Sequence, residues 1–121
     1  KPRVNREAFE SWPTTVWNIP SSEIETRDHP TSKPVRVFTL PMELHTNPGD
    51  LCYEPFAGSG SQAIAGERTG RRVYNMELSE AFCDVVIARW QAFTGKEAIL
   101  DGDGRSFDEV KAERLGANAA A

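Results

Sequence analysis

The sequence has no excess of basic charge. Its 14 Lys and Arg stand against 18 Asp and Glu, for a net charge of −4. That balance argues against a free-standing nucleic-acid binder, which presents a basic face to phosphates. No apolar run approaches the ~20 residues of a membrane-spanning helix. The opening Lys1-Pro-Arg-Val-Asn-Arg-Glu also lacks the apolar core of a signal peptide. No membrane partner is expected. Cysteine is scarce: Cys52 and Cys83 fall inside apolar element patterns and read as reduced core thiols of a cytoplasmic protein. Two cysteines and two widely separated histidines give no metal-ligand spacing, so no metal is expected.

What is present suits one small globular domain, with 39% apolar and 26% charged residues in 121. The chain is organised around Leu51-Cys-Tyr-Glu-Pro-Phe-Ala-Gly-Ser-Gly-Ser-Gln-Ala-Ile-Ala65. Leu51 to Tyr53 read as a short strand, and Glu54 sets a carboxylate where it stops. Gly58-Ser59-Gly60-Ser61 is a turn without bulky side chains, open to close approach by a ligand. Ser61, Gln62 and Ala63 then enter a helix whose free N–H groups face the turn. Glu77 follows Gly58 by 19 residues. Strand, glycine turn, helix and a later acid are the pattern of a nucleotide-type cofactor site in a Rossmann-like fold.

Along the rest of the chain, Asn5 to Trp12 suits a helix ended by Pro13, and Thr14 to Trp17 a short strand. Pro20 to Pro34 is a polar loop. Val35, Phe38 and Met42 form a helical stripe that Pro41 is expected to kink. The helix from Ser61 runs to about Thr69, with Gly70 as its stop. Arg72 to Glu77 is the second strand. Ser79 caps a helix carrying Phe82, Val86, Trp90 and Phe93, stopped at Thr94-Gly95. Glu97 to Leu100 reads as a third strand and Asp101 to Gly104 as a turn. Ser106 caps a last helix to about Leu115, and residues 116–121 read as a disordered tail. The order βαβαβα predicts an α/β fold: a partial Rossmann-like sheet of three parallel strands with flanking helices. Such a sheet is normally covered on both faces. Three strands therefore suggest a part of something larger, or a chain that pairs with another.

Three local patterns carry a resemblance. His29-Pro30-Thr31-Ser32-Lys33-Pro34 resembles the HPTxKP motif of amino-group DNA methyltransferases. Glu54-Pro55-Phe56-Ala57-Gly58-Ser59-Gly60-Ser61 is similar to their (D/E)PFxGSG(T/S) motif, and Asn75-Met76-Glu77-Leu78-Ser79 to their acidic second-strand motif. The order is that of the permuted, beta-type group, and the run from Gly70-Arg71-Arg72 through Arg89 to Lys96 resembles its phage and prophage branch. The resemblance covers roughly residues 14 to 110.

It implies a site for S-adenosyl-L-methionine, in a donor subdomain over residues 29–115 preceded by a helix, strand and loop in 1–28. On that reading Glu54 holds the ammonium, backbone N–H groups around Ala57 to Gly60 suit the carboxylate, and Phe56 and Ser61 at either end of the turn also belong to the cofactor site. Lys33 adds a cation, with Thr31 or Ser32 a hydroxyl. Glu77 accepts from the ribose hydroxyls. Leu78 and Phe82 flank the adenine, and Asp101 or Asp103 meets its amine. A dinucleotide site is the rival within the fold, since Gly58-x-Gly60-x-x-Ala63 satisfies GxGxx(G/A). Glu54 opposes it, because a carboxylate repels pyrophosphate and attracts an ammonium.

The family's (D/N/S)PP(Y/F/W) loop, which binds the target amino group and stacks the flipped base, has no counterpart here. The eight prolines include no Pro-Pro pair. No basic target-recognition segment is present either. The chain therefore looks like the C-terminal, cofactor-binding half of such an enzyme, meeting DNA through a catalytic half, with no catalytic residue of its own. The alternative is a non-catalytic remnant or interaction module that pairs with a complementing chain or as a homodimer.

Overall fold

The computed structural model describes residues 4, 16–23 and 32–119. The helix expected over Asn5 to Trp12 lies outside them, as do Thr14, Thr15 and Thr31. Val16 and Trp17 are exposed and take no strand conformation, contrary to the expected Thr14–Trp17 strand. In the polar loop, Ser21–Glu23 forms one 3₁₀ turn.

Helix α1 spans Arg36–His45. Its expected stripe is the core: Val35, Met42, Ile64 and Ala65 are buried together, with Phe38, Cys52 and Val73 packed on them. Pro41 does not split the element, which continues through it. The cost is local, since Pro41 has no N–H to donate along the helix.

Strand β1 (Leu51–Glu54) and strand β2 (Arg72–Asn75) are joined by helix α2 (Ser61–Thr69). They pair in parallel, Leu51 opposite Arg72 and Glu54 opposite Asn75. α1 packs on α2, and α2 packs on β2 and on helix α3, Glu80–Thr94. Gly70 and Gly95 close α2 and α3, as expected. Cys52 and Cys83 are free, half-buried thiols. Burial pushes the Cys52 thiol up, against the pull of the Arg71 guanidinium.

The fold is α/β, with parallel strands and flanking helices. The third strand is a correction. Ile99 makes an isolated antiparallel bridge with Ser106, and β1 and β2 are the only strands paired in parallel among the described residues. The Asp101–Gly104 turn folds the chain back on itself. Leu100 N–H then donates to Arg105 O at 2.9 Å, and Phe107 N–H to Ala98 O at 2.8 Å. Those backbone groups are satisfied locally rather than by the edge of β2. Helix α4 spans Phe107–Ala119, past Leu115 and into the stretch expected to be a disordered tail.

Among the described residues, no helix covers one face of the sheet. Leu51, Tyr53, Tyr74 and Met76 alternate along β1, β2 and the residue after β2, and all are exposed. Tyr53 and Tyr74 stand opposite each other in register, 59% and 60% accessible.

Candidate functional site

Both strands end at a shared cleft of about 560 Å³. It lies outside their carboxyl ends, where open α/β sheets bind ligands. Lys33, Glu54, Phe56, Ala57, Gly58, Ser59, Ser61 and Glu77 line it, with Val37 and Phe38 from α1. Most of the residues predicted from the motifs thus converge. Ser32 is half-buried beside Lys33. Gly60 lies behind the lining. Leu78 is almost fully exposed and Phe82 half-buried, and neither lines the cleft.

The loop between β1 and α2 is held by its own acids. Glu54 Oε1 accepts from Phe56 N–H at 2.8 Å. Glu77 Oε2 accepts from Gly58 N–H at 2.8 Å, and its Oε1 from Ser79 N–H at 2.9 Å. Ala57 N–H donates to Met76 O and Gly60 N–H to Ala57 O, both at 2.9 Å. The N–H groups of 56, 57, 58 and 60 are therefore engaged within the protein. The first-turn N–H groups of α2, from Ser61 to Ala63, have no acceptor within the helix. A helix N-terminus of this kind is where anions are favoured.

Ser79 occupies the N-cap of α3, as expected, but its side chain makes no capping bond. Its N–H is turned to Glu77 instead. Asp103 is bound by Arg105 Nε and Nη2 at 2.6 and 2.7 Å, and this holds its carboxyl below the usual range. Asp101 lines a separate groove between α3 and α4 with Glu80, Cys83 and Phe107. Neither aspartate reaches the Glu54 cleft.

Sequence reasoning gave no role to Arg89. From α3 its Nη1 donates to Ser59 O at 3.0 Å and to Ser61 Oγ at 3.2 Å. The one available signal was a cation three residues after Val86 on a helix otherwise apolar on that side.

With two carboxylates, one lysine, a tight turn and a helix N-terminus, the cleft offers partners for an ammonium, a carboxylate and hydroxyls. That set suits a zwitterion joined to a nucleoside.

A family model described as DNA methylase (N6_N4_Mtase) matches residues 1–89. The chain belongs to this DNA methylase family. YubD of Escherichia coli (strain K12) is 43% identical over 56 residues, 46% of this chain and 25% of YubD. The DNA adenine methyltransferase YhdJ of the same strain is 29% identical over 80 residues, 64% of this chain and 27% of YhdJ. The orphan methyltransferase M.BamHII of Bacillus amyloliquefaciens is 24% identical over 101 residues, 78% and 38% of the two chains. The chain thus spans between a quarter and two fifths of the curated relatives it matches. Among solved structures, the M1.HpyAVI–SAM complex superposes with a TM-score of 0.62 at 26% identity, over 74% of this chain and 44% of that one. In this member of the methylase family, the glycine turn, Glu77 and Lys33 of the His29–Pro34 motif line one cleft.

Proposed function

We propose that this chain is the donor-binding portion of an amino-group DNA methyltransferase of the permuted, beta type and phage-like branch. The observation that carries the reading is the cleft itself. Glu54 ends β1 and Glu77 stands two residues beyond the end of the parallel β2, with the glycine turn and Lys33, from the segment before α1, in the same cleft lining. The donor is S-adenosyl-L-methionine, which supplies a methyl group on a sulfonium. YhdJ's description as a DNA adenine methyltransferase favours N6 of adenine over N4 of cytosine as the acceptor.

The residues divide the ligand among them. Glu54 takes the ammonium. The α2 N-terminus and Lys33 take the carboxylate, assisted by Thr31 or Ser32. Phe56, Ala57, Gly58, Ser59, Gly60 and Ser61 shape the turn. Glu77 accepts from the ribose hydroxyls through its remaining lone pairs, and Leu78 and Phe82, which stand outside the cleft lining, border an adenine that reaches beyond it. Residues 29–115 form this donor unit.

A catalytic portion carrying the PP-loop and the DNA-binding surface completes the enzyme. The uncovered sheet face supports this, because a parallel sheet is ordinarily covered on both sides. The proposed DNA substrate supports a cytoplasmic setting for the working protein. Among the described residues no helix is long and apolar enough to cross a membrane.

Calorimetric titration with S-adenosylmethionine and S-adenosylhomocysteine tests the reading. Saturable binding is expected. Absence of binding at millimolar ligand, by protein shown to be folded, would sink it. DNA methylation by this chain alone would overturn the assignment of catalysis to another portion. An obligate dimer without ligand affinity would favour an interaction module.

A further inference from the structure

The glycine turn is held from behind by a residue outside the cleft. Gly60 sits at φ +76°, and a Cβ there would stand 2.9 Å from Val86 Cγ1. α3 is therefore pressed against the turn. One helical turn further on, Arg89 Nη1 donates to Ser59 O at 3.0 Å. It also lies 3.5 Å from Ser59 Oγ and 3.2 Å from Ser61 Oγ. Ser61 Oγ in turn donates to Lys33 O at 2.8 Å. One guanidinium thus joins α3, both serines of the turn and the segment bearing Lys33. Ser59 and Ser61 are 5% and 4% exposed, so water competes little for these bonds.

We propose that Arg89 is a positioning residue of the donor site, setting the Ser59–Ser61 turn and the Lys33 segment for the carboxylate end of the ligand. The proposal rests on the donor-site reading above, and it touches only one end of that ligand. S-adenosylhomocysteine carries the amino-acid end, whereas adenosine lacks it. On the full chain, Arg89→Met is expected to weaken S-adenosylhomocysteine binding about tenfold or more and adenosine binding less than about twofold. Arg89→Lys keeps the charge but not the planar fork, and recovers part of the loss. Equal losses for the two ligands would indicate general damage to the fold and overturn the proposal, as would no loss at all.

Failure of the unsubstituted chain to bind either ligand would count against the donor-site reading instead. Arg89's hold on the turn is then decided by amide hydrogen exchange in the ligand-free protein. The Gly58 and Gly60 amides are expected to exchange about tenfold faster in Arg89→Met, with the Thr46 amide that caps α1 unchanged. Unaltered exchange at the turn, or equal acceleration at all three amides, overturns it.

Discussion

Glu54 and Glu77 are both acids at strand ends, yet their contacts differ in reach. Glu54 accepts from Phe56 N–H, two residues on. Glu77 ties the residue after Met76 to the loop after β1, across 19 residues, and holds Ser79 N–H as well. Its replacement leaves two backbone donors without their acceptor, whereas Glu54→Gln disturbs one local bond. Glu77→Ala is expected to lower stability by about 1–3 kcal/mol and Glu54→Gln by clearly less. Urea unfolding midpoints measure both, and equal midpoints would show that the Glu77 clasp adds nothing. Each carboxylate oxygen of Glu77 has a second lone pair, so the residue can hold the turn and still accept from a ribose hydroxyl.

At the level of elements, α2 is bounded by marks that are local in the sequence. Its start at Ser61 and stop at Gly70 were both legible, and so were Ser79 and Gly95 around α3. The third strand was not, because pairing with β2 is a long-range choice and the Asp-Gly-Asp-Gly turn offers a nearer partner. Arg89 was illegible for the same reason: its acceptors lie 28 to 30 residues away, and one of them is a backbone oxygen. Gly66 makes the point quantitatively. In mid-helix, alanine normally stabilises relative to glycine by about 0.5–1 kcal/mol. Here a Cβ would stand 2.3 Å from Val73 Cγ2 and 3.1 Å from Arg71 O, so α2 and β2 must separate to admit it. Gly66→Ala is therefore expected to destabilise by about 1–3 kcal/mol. Val73→Ala in the same chain removes the nearer atom, so the double variant should lose less than the two single losses added. Thermal melts of the four proteins decide it.

Helix α4 carries its own pH signature. Ser106 Oγ lies 3.3 Å from Glu109 N, and Glu109 Oε2 accepts from Ser106 N–H at 2.7 Å, a reciprocal cap. The backbone bond from Ser106 holds the Glu109 carboxyl below the usual glutamate range. A carboxyl depressed in the folded state contributes above its unfolded pKa, and the contribution fades as pH falls through the folded value. Helicity of α4 is expected to decline below about pH 4, with Glu109→Gln lacking that step. Circular dichroism titration of the two chains compares them. An identical acid limb would show that the cap does not govern the end of α4.

At the scale of the molecule, the decisive fact is the asymmetry of the sheet. Its inner face meets α2 through Val73 and the core through Cys52. Its outer face presents Leu51, Tyr53, Tyr74 and Met76 to solvent, with Tyr53 Oη 2.7 Å from Met76 Sδ. Contiguous aromatic and aliphatic side chains on a parallel sheet are costly to leave in water. In the proposed enzyme the catalytic portion covers them. Alone at high concentration, the chain has only a second copy to offer the same burial. The 121-residue chain is therefore expected to self-associate as its concentration rises, through this face. Tyr53→Lys with Tyr74→Lys sets two like charges directly opposite each other on it and should keep the chain monomeric in sedimentation experiments. The cleft opens at the strand ends rather than on this face, so donor affinity should stay within about threefold of the parent. Unchanged association in the double variant would move the contact elsewhere. Loss of donor binding with the fold intact would show that the outer face and the cleft are energetically one unit, so that the catalytic portion shapes the donor site as well as covering the sheet.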